Sequence, residues 1–455
     1  GGFQFAGVDG QPERLYDTDW TNVAPRIGIA WQIRPTTVLR AGAGVYYQSP
    51  TQTNTTNGFA QQTDYVSSID GMTPSAGASL TGRYSLVDPF PDGILQPPGA
   101  SAGLLTNIGR SIGWDPPGFK IPRTYQYSFG FQQQLPGGIV AEASYAGNYQ
   151  IYINLSTNLN HMSLADYKIA YSDTGYDSTQ IPNPFYGILP RNGGLGQNPT
   201  INRGALLRPN PIFQDMTNFL TQWGRYRSDA LQVKIEKKLL QGSGTGVLTW
   251  VLSYTFSKAF EENHRLNNWN LDEPLIKELD YQDKPHMLSF AGIWDLPIGR
   301  GRRFLNSENP VARNLASGWQ FNWIYTYSSG YPTGWPDLDI KPGCDWHAEN
   351  QNRYSWFNND KSCYTPRRSY TLRTVPDRFP DIRNPAIKQL NIALEKSTRL
   401  SERYRFVIRG EAFNVTNTPA YGGPDTDYNS PRFGMLPNNQ QNWPRLVQLS
   451  AKFFF

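Results

Sequence analysis

Residues 248–257 read LTWVLSYTFS, and this stretch decides the fold. Leu248, Trp250, Leu252, Tyr254 and Phe256 occupy every second position, with Thr249, Ser253, Thr255 and Ser257 between them. Because side chains of a β-strand alternate between the two faces of its sheet, the pattern predicts a strand with one apolar and one polar face. A tilted strand of about ten residues is also long enough to cross a bilayer.

The same alternation recurs along the chain and predicts eleven strands of roughly ten residues, longer than the usual five or six. They lie at residues 26–34, 37–47, 125–132, 139–145, 231–236, 248–257, 288–296, 320–328, 389–395, 404–412 and 447–455. A soluble β-sandwich or propeller would alternate too. Strand length, together with Tyr and Trp near the strand ends, favours an antiparallel transmembrane β-barrel with aromatic girdles at both membrane interfaces.

The connections between these strands are alternately short and long. Short ones join 34 to 37, 134 to 139, 238 to 246 and 396 to 402, with a longer one from 297 to 317. Long ones span about 48–123, 150–226, 259–283, 330–385 and 416–443. Loops of this length are uncommon in compact soluble domains. Short turns on one side and long loops on the other are typical of barrels in the outer membrane of Gram-negative bacteria. We therefore expect residues 1–455 to form one barrel region with long extracellular loops.

The composition excludes several other classes of protein. Of 455 residues, 14% are aromatic and 17% are charged, against about 25% charged in an average soluble domain. No apolar run reaches the roughly 18 residues of a transmembrane helix, and the aromatic content argues against disorder. The net charge of +5 includes no dense Lys/Arg run, so we expect no nucleic-acid partner. Nucleophile-elbow, zinc-protease and nucleotide-binding motifs are absent, so the sequence predicts neither an enzyme nor a cofactor.

The odd number of strands has its own consequence. Complete single-chain bacterial barrels have an even number of strands, so we expect this chain to be the carboxy-terminal half of a 22-stranded plugged barrel. The strands near Val23 and at Phe455 would then both be edges. Because unsatisfied backbone groups are costly in hydrocarbon, we expect each edge to pair with a strand outside this sequence.

Several short motifs carry a resemblance to a known family. They are TNVAPRIG at 21–28, TVLRAG at 37–42, SYTFSKA at 253–259, DKPH at 283–286, LPIGRG at 296–301, GWQ at 318–320 and RGEAFNVTN at 409–417. In this order and spacing they resemble the barrel of TonB-dependent outer-membrane receptors. The closest likeness is to the Oar-like receptors, which have a carboxypeptidase-regulatory-like amino-terminal domain.

The resemblance implies TonB-dependent uptake of a solute. Siderophore, glycan, peptide and vitamin importers share this barrel, so the class of solute stays open. Implied partners are the TonB energy-coupling complex, acting through a plug absent from this sequence, the missing amino-terminal half of the barrel, the barrel-assembly machinery and lipopolysaccharide. The alternative is a structural or adhesive outer-membrane protein whose loops bind partners.

The carboxy terminus resembles an outer-membrane assembly signal. Phe453, Phe454 and Phe455 end an amphipathic strand that also contains Val447 and Leu449. Aromatic side chains collect at membrane interfaces, which favours the signal, carried by Phe453 and Phe455, over an ordinary last strand of a soluble sheet.

The only two cysteines, Cys344 and Cys363, lie in the 330–385 loop. In a cell-envelope protein we expect them to form a disulfide. A metal site with His347 is disfavoured because structural zinc needs four ligands. The aromatic side chains of this loop either stack on sugars or on aromatic ligands or, as we expect, pack the loop on its neighbours. They are Trp335, Trp346, Trp356 and Tyr364.

Two further groups of polar residues have ordinary interpretations. Asp425–Asn429 (DTDYN) begins like a calcium loop, but Ser430 and Leu436 replace the required Gly and Glu, so we expect a solvated turn and no metal. A row of charged side chains is expected to line the lumen and to contact a plug. The row consists of Lys388, Arg405, Arg409, Glu411 and Lys452.

Overall fold

The computed structural model describes residues 3–14, 19–48, 57–60, 93–94, 96–114, 120–189, 195–237 and 246–455. Among them, no helix is both long and apolar enough to cross a membrane. The three α-helices in these ranges are short: α1 Leu164–Ser172, α2 Arg203–Leu206 and α3 Pro310–Ala316. Two 3₁₀ turns lie at Gly103–Leu105 and Lys361–Cys363.

Within the described ranges, eleven long strands form one antiparallel sheet, in which each strand pairs with its neighbours in sequence. They are β1 Arg26–Arg34, β2 Thr37–Tyr47, β3 Arg123–Leu135, β4 Ile139–Asn158, β5 Met216–Lys237, β6 Val247–Glu262, β7 His286–Asp295, β8 Trp319–Ser328, β9 Ile387–Arg399, β10 Arg405–Phe413 and β11 Leu446–Phe454. All eleven predicted strands are confirmed. Part of the predicted 238–246 turn lies outside the described residues.

Short strands occur in the long loops. Ile112–Trp114 runs parallel to the start of β5, and Glu278–Leu279 pairs with the end of β6. Two-stranded ribbons join Gln180–Pro182 to Thr200–Asn202, Pro332–Gly334 to Arg378–Arg383, and Leu338–Ile340 to Tyr364–Pro366. Four of the five long loops therefore have secondary structure in their described residues, and the β10–β11 loop has turns only.

The predicted loop at 150–226 was too long. β4 continues to Asn158 and β5 begins at Met216, so the two strands stay paired beyond the predicted ends. The register shifts between Ile151 and Thr157, and these irregularities interrupt the period-two pattern on which the prediction depended.

The strand register collects the apolar side chains on one face of the sheet. Phe290 lies opposite Leu252 on β6 and Tyr325 on β8, and Phe131 lies opposite Leu39 and Ala143. Paired residues of an antiparallel sheet share a face, so the same face is apolar from β1 to β11. Much of it is exposed, as expected of a surface in contact with lipid.

The opposite face of the sheet is polar. Of the charged residues predicted to line the lumen, Lys388 does not lie on this face. Glu142 pairs with Lys234 on this face, and Arg409 pairs with Ser450. Lys388, however, pairs with Tyr327 and therefore lies on the apolar face, at the loop end of β9. Lys388 lies two positions before Leu390 on the same strand, so both side chains are on the apolar face. The prediction that Lys388 lines the lumen was therefore wrong.

The sheet is not closed. Within the described residues, β1 pairs with β2 alone and β11 with β10 alone. Every residue of β1 is exposed, and on β11 Leu449 is 79% exposed. The two edge strands of the sheet, β1 and β11, thus have unpaired backbone edges and exposed apolar side chains.

Candidate functional site

The loop between β8 and β9 (residues 329–386, the disulfide loop) is folded around an apolar core. Cys344 and Cys363 are joined by the predicted disulfide, with Cα atoms 5.6 Å apart. The core also includes Phe433 of the β10–β11 loop, so two long loops pack together. Its buried members are Trp335, Leu338, Phe357, Tyr364, Phe379, Ile382 and Phe433.

The aromatic residues of the disulfide loop serve packing, as expected. Trp335 and Tyr364 are 4% and 2% exposed. Trp346 stacks on Phe379 with ring centroids 4.6 Å apart, and Trp356 Nε1 donates to the backbone oxygen of Arg383 at 2.6 Å. These four side chains therefore stabilise the loop and do not form a free stacking platform.

Ion pairs connect the disulfide loop to the loop between β6 and β7 (residues 263–285, the β6–β7 loop). Arg378 contacts Glu261 Oε1 at 2.5 Å and also Glu278, which lies opposite Glu261 across the short strand pair. Arg383 Nη2 lies 2.6 Å from Asp283 Oδ2. Burial of these pairs makes the contact between the loops sensitive to the loss of either partner.

A histidine lies at the centre of this ion-pair network. His264 Nε2 is 3.0 Å from Glu278 Oε1 and 3.2 Å from Asp377 Oδ2, and His264 Nδ1 is 2.7 Å from Asn263 Oδ1. The carboxylates of Asp377 and then of Glu278 raise the pKa of His264 to about 9, against the effect of burial. Among the described residues, these three side chains are the group that could hold a metal ion, with ligand atoms within 4.8 Å of one another.

Two adjoining clefts open between the long loops. One, of about 500 Å³, has aromatic and charged walls, and the other, of about 530 Å³, shares Trp269 and His161 with it. Tyr167 stacks on Trp269 at 3.9 Å, and burial lowers the pKa of His161. Walls of the first cleft include His161, Tyr167, Asp177, Arg208, Trp269 and Tyr370. Concave surfaces with aromatic walls and a few polar groups are typical ligand sites.

Neither the clefts nor the histidine cluster was predicted from the sequence. Tyr167, Trp269 and Tyr370 come from three different loops, and so no local motif connects them. Likewise, His264 and Asp377 are brought together by loop packing alone. The available signal was that His161, His264 and His347 lie in long loops, which does not specify partners.

The other predicted features of the loops have definite places. The peptide N–H of Asp427 donates to Asp425 Oδ1 at 3.0 Å, and Ser430 Oγ donates to Asp425 Oδ2 at 2.6 Å. This segment is therefore a turn in which the Asp425 carboxylate accepts hydrogen bonds from within the turn. His347 lies between Asp345 and Asp381, at 2.6 and 2.8 Å. The cysteines near it are bonded to each other and offer no thiolate.

The polar face of the sheet carries ion pairs. Arg409 lies 3.3 Å from Glu395 and 2.7 Å from Glu411. At the end of β11, Phe453 stacks on Tyr404 with centroids 5.7 Å apart and on Phe455 at 6.5 Å. An aromatic cluster thus forms at the short-turn end of the sheet, and the role of Phe453 and Phe455 in assembly stays a prediction.

Solved structures similar to this chain include two transporters and one import receptor. They are the outer membrane transporter YddB from Escherichia coli (10% identity, TM-score 0.43), the FrpB iron transporter from Neisseria meningitidis (11%, 0.40) and the ferric-catecholate import receptor Fiu from E. coli K12 (9%, 0.38). The matches cover 95%, 95% and 94% of this chain but 40%, 39% and 34% of those chains.

No curated protein matches the sequence significantly. A protein-family model does match, over residues 1–448, and it describes the outer membrane beta barrel domain. The match covers ten of the eleven long strands in full and the start of β11. The chain therefore belongs to the outer membrane beta barrel domain family, and its location is the bacterial outer membrane.

Proposed function

We propose that this chain is the carboxy-terminal half of a 22-stranded, plugged barrel that takes up a solute in a TonB-dependent manner. The observation that carries the proposal is the open sheet of eleven strands with two unpaired edges. Such edges are costly in a bilayer, so they call for partner strands. The receptor-like motifs, from TNVAPRIG at 21–28 to RGEAFNVTN at 409–417, add the TonB dependence by resemblance.

The inner face supports a plugged barrel. Lys234 and Glu236 form an ion pair of 2.8 Å there, and Arg409 joins Glu395 and Glu411. Charged groups of both signs on one wall suit contact with a folded plug through ion pairs and water. Barrels of this size are closed by a plug domain.

The clefts between the loops suit the first contact with a solute. They lie beyond the long-loop ends of the strands, and Trp269 and Tyr167 supply stacking surfaces next to Asp177 and Arg208. Since the long loops of outer-membrane barrels face the medium, a solute would meet these residues before it reached the lumen.

The experiment uses the native gene product. Outer membranes are probed with an antiserum against residues 246–455, and the detergent extract is passed over immobilised TonB carboxy-terminal domain. We expect a polypeptide well above the mass of this chain, retained by TonB and not by resin alone. A product of this chain's own mass, or a larger one that TonB does not retain, would contradict the proposal.

An adhesive role is the second candidate, and the folded loops favour it. Besides the core of the disulfide loop, a second apolar core joins the β2–β3 and β4–β5 loops through Ile108, Ile112, Leu195 and Phe213. Loops with cores of their own suit durable contacts with partners. An upstream sequence without an energy-coupling box, combined with cell attachment that depends on these loops, would favour adhesion over uptake.

A further inference from the structure

His264, Glu278 and Asp377 converge from two external loops. Their ligand atoms all lie within 4.8 Å of one another. We propose that these three side chains bind one divalent transition-metal ion, such as Zn²⁺ or Mn²⁺, which fastens the β6–β7 loop to the disulfide loop. This proposal is independent of solute uptake.

The spacing of the ligand atoms suits a shared ion. Metal–ligand bonds to His and carboxylate are about 2.0–2.2 Å, so two ligands on one ion lie roughly 3.0 Å apart in octahedral and 3.4 Å apart in tetrahedral geometry. His264 Nε2 lies 3.0 Å from Glu278 Oε1 and 3.2 Å from Asp377 Oδ2. An ion therefore needs only small movements of these side chains.

Two of the ligands are oriented by neighbours on the side away from the cluster. Asn263 Oδ1 accepts from His264 Nδ1 at 2.7 Å, so Nδ1 keeps its proton and Nε2 is the nitrogen that would exchange its proton for a metal ion. Arg373 Nη1 lies 2.8 Å from Asp377 Oδ1, which leaves Oδ2 facing the histidine. Outer contacts of this kind fix metal ligands in known sites.

Glu278 supplies the second, independent observation. The residue is only 7% exposed, and Arg378 holds its Oε1. In the described part of the chain, Glu278 Oε2 and His264 Nε2 are buried atoms without a hydrogen-bond partner. The contacts of His264 Nε2 to the two carboxylates, at 3.0 and 3.2 Å, are ion pairs of poor hydrogen-bond geometry. Buried polar atoms are normally satisfied, and a cation bound between Glu278 and Asp377 would satisfy His264 Nε2.

One positive charge on or beside His264 balances the charge of the cluster, and either a proton or a metal ion can supply it. Four carboxylates, those of Glu261, Glu278, Asp337 and Asp377, face three guanidinium groups, those of Arg367, Arg373 and Arg378. With a neutral imidazole the group has an excess of one negative charge. A metal ion takes the place of the proton on His264 and releases it.

The donor set selects the class of metal. One imidazole nitrogen with two carboxylates suits Zn²⁺, Mn²⁺ or Fe²⁺. Calcium binds six to eight oxygen ligands, and the imidazole nitrogen of His264 is a poor ligand for it. Three protein ligands leave at least one position for water.

The test uses the whole protein, purified in detergent from outer membranes and stripped with chelator. Zn²⁺ alone and Mn²⁺ alone are titrated by calorimetry, and metal retained after gel filtration is counted by mass spectrometry. We expect one equivalent of at least one of the two ions in the native protein. His264→Gln and Asp377→Asn should each bind that ion at least about tenfold more weakly.

His347→Gln is the matched control, because His347 also lies between two aspartates but outside this cluster. It should bind as the native protein does. Heat-modified migration on gels verifies that each variant is folded, and Asp377→Asn, whose side chain is partly exposed, serves if His264→Gln fails to fold. Absence of both ions from the native protein, or native-like binding by a folded His264→Gln or Asp377→Asn, would overturn the proposal.

Discussion

Arg383 of the disulfide loop donates through Nη2 to Asp283 Oδ2 of the β6–β7 loop at 2.6 Å, and the Asp283 side chain is 1% exposed. The other oxygen of Asp283 accepts from the peptide N–H of Ala259 at 2.8 Å. One buried carboxylate thus fixes both the end of β6 and the disulfide loop. Asp283 opens the DKPH motif, so this contact gives the motif a structural role.

Removal of Arg383 should open these loops. Arg383→Ala leaves the Asp283 carboxylate buried without its partner, a loss of about 3–5 kcal/mol when it occurs in a protein interior. We expect faster hydrogen exchange at the amides of residues 259–286. Arg225→Ala, which breaks the exposed pair with Glu262, should cost less than about 1 kcal/mol. Equal exchange in both variants would show that the Arg383 contact does not hold the loops.

The disulfide should stabilise its loop against unfolding. In the chain-entropy account, a bond that closes about 20 residues contributes roughly 3 kcal/mol. The paired Cys344→Ser and Cys363→Ser variant should therefore lose protease resistance between residues 329 and 386 while the strands stay protected. Cleavage is followed by mass spectrometry of the released peptides. Unchanged protection would mean that the Trp335 core alone is sufficient.

His347 predicts a dependence of loop stability on pH. The carboxylate of Asp345 raises the pKa of His347, burial opposes this, and Asp381 adds to the increase. Because the folded-state pKa lies above the unfolded value of about 6.5, the stabilisation is complete below pH 6.5 and is lost as pH rises through the folded-state pKa. Hydrogen exchange of residues 341–383 from pH 5.5 to 8.5 should show this loss. His347→Gln should flatten the profile, and an unchanged profile would refute the assignment.

The strands were predictable because their physics is local. The alternation of Leu252 with Ser253, or of Phe290 with Ala291, follows from the period of two that every strand in a bilayer must keep. The pairing of Cys344 with Cys363 was predictable as well, since no other cysteine competes. The prediction for Lys388 was wrong because this residue was assigned to the polar face by its charge. Its position two residues before Leu390 indicated the apolar face instead.

The site was not predictable in the same way. His264, Glu278 and Asp377 meet because two loops pack on each other, and loop packing depends on shape and not on a period in the sequence. The clefts also depend on three loops at once. The sequence showed that His264 and Asp377 lie in long loops but gave no distance between them.

Gly292 on β7 is the place where one added methyl group should disturb the sheet. A Cβ atom there would overlap Cζ2 of Trp323 on β8. The Trp323 ring has little freedom to move, since it contacts Phe290 at 5.4 Å and Phe321 at 5.8 Å between ring centroids. Gly292→Ala should therefore destabilise the barrel by about 1–3 kcal/mol, the usual cost of overpacking.

Urea unfolding in detergent, followed by tryptophan fluorescence, measures the effect of Gly292→Ala. Gly42→Ala is the matched control, because a Cβ there meets only ordinary contacts of 3.6 Å or more. If the clash with the indole is the cause, Trp323→Leu in the Gly292→Ala background should recover part of the lost stability, since the smaller side chain leaves room for the methyl group. Equal destabilisation by the two glycine variants, or no recovery in the double variant, would locate the effect in the strand backbone and not in the contact between Gly292 and Trp323.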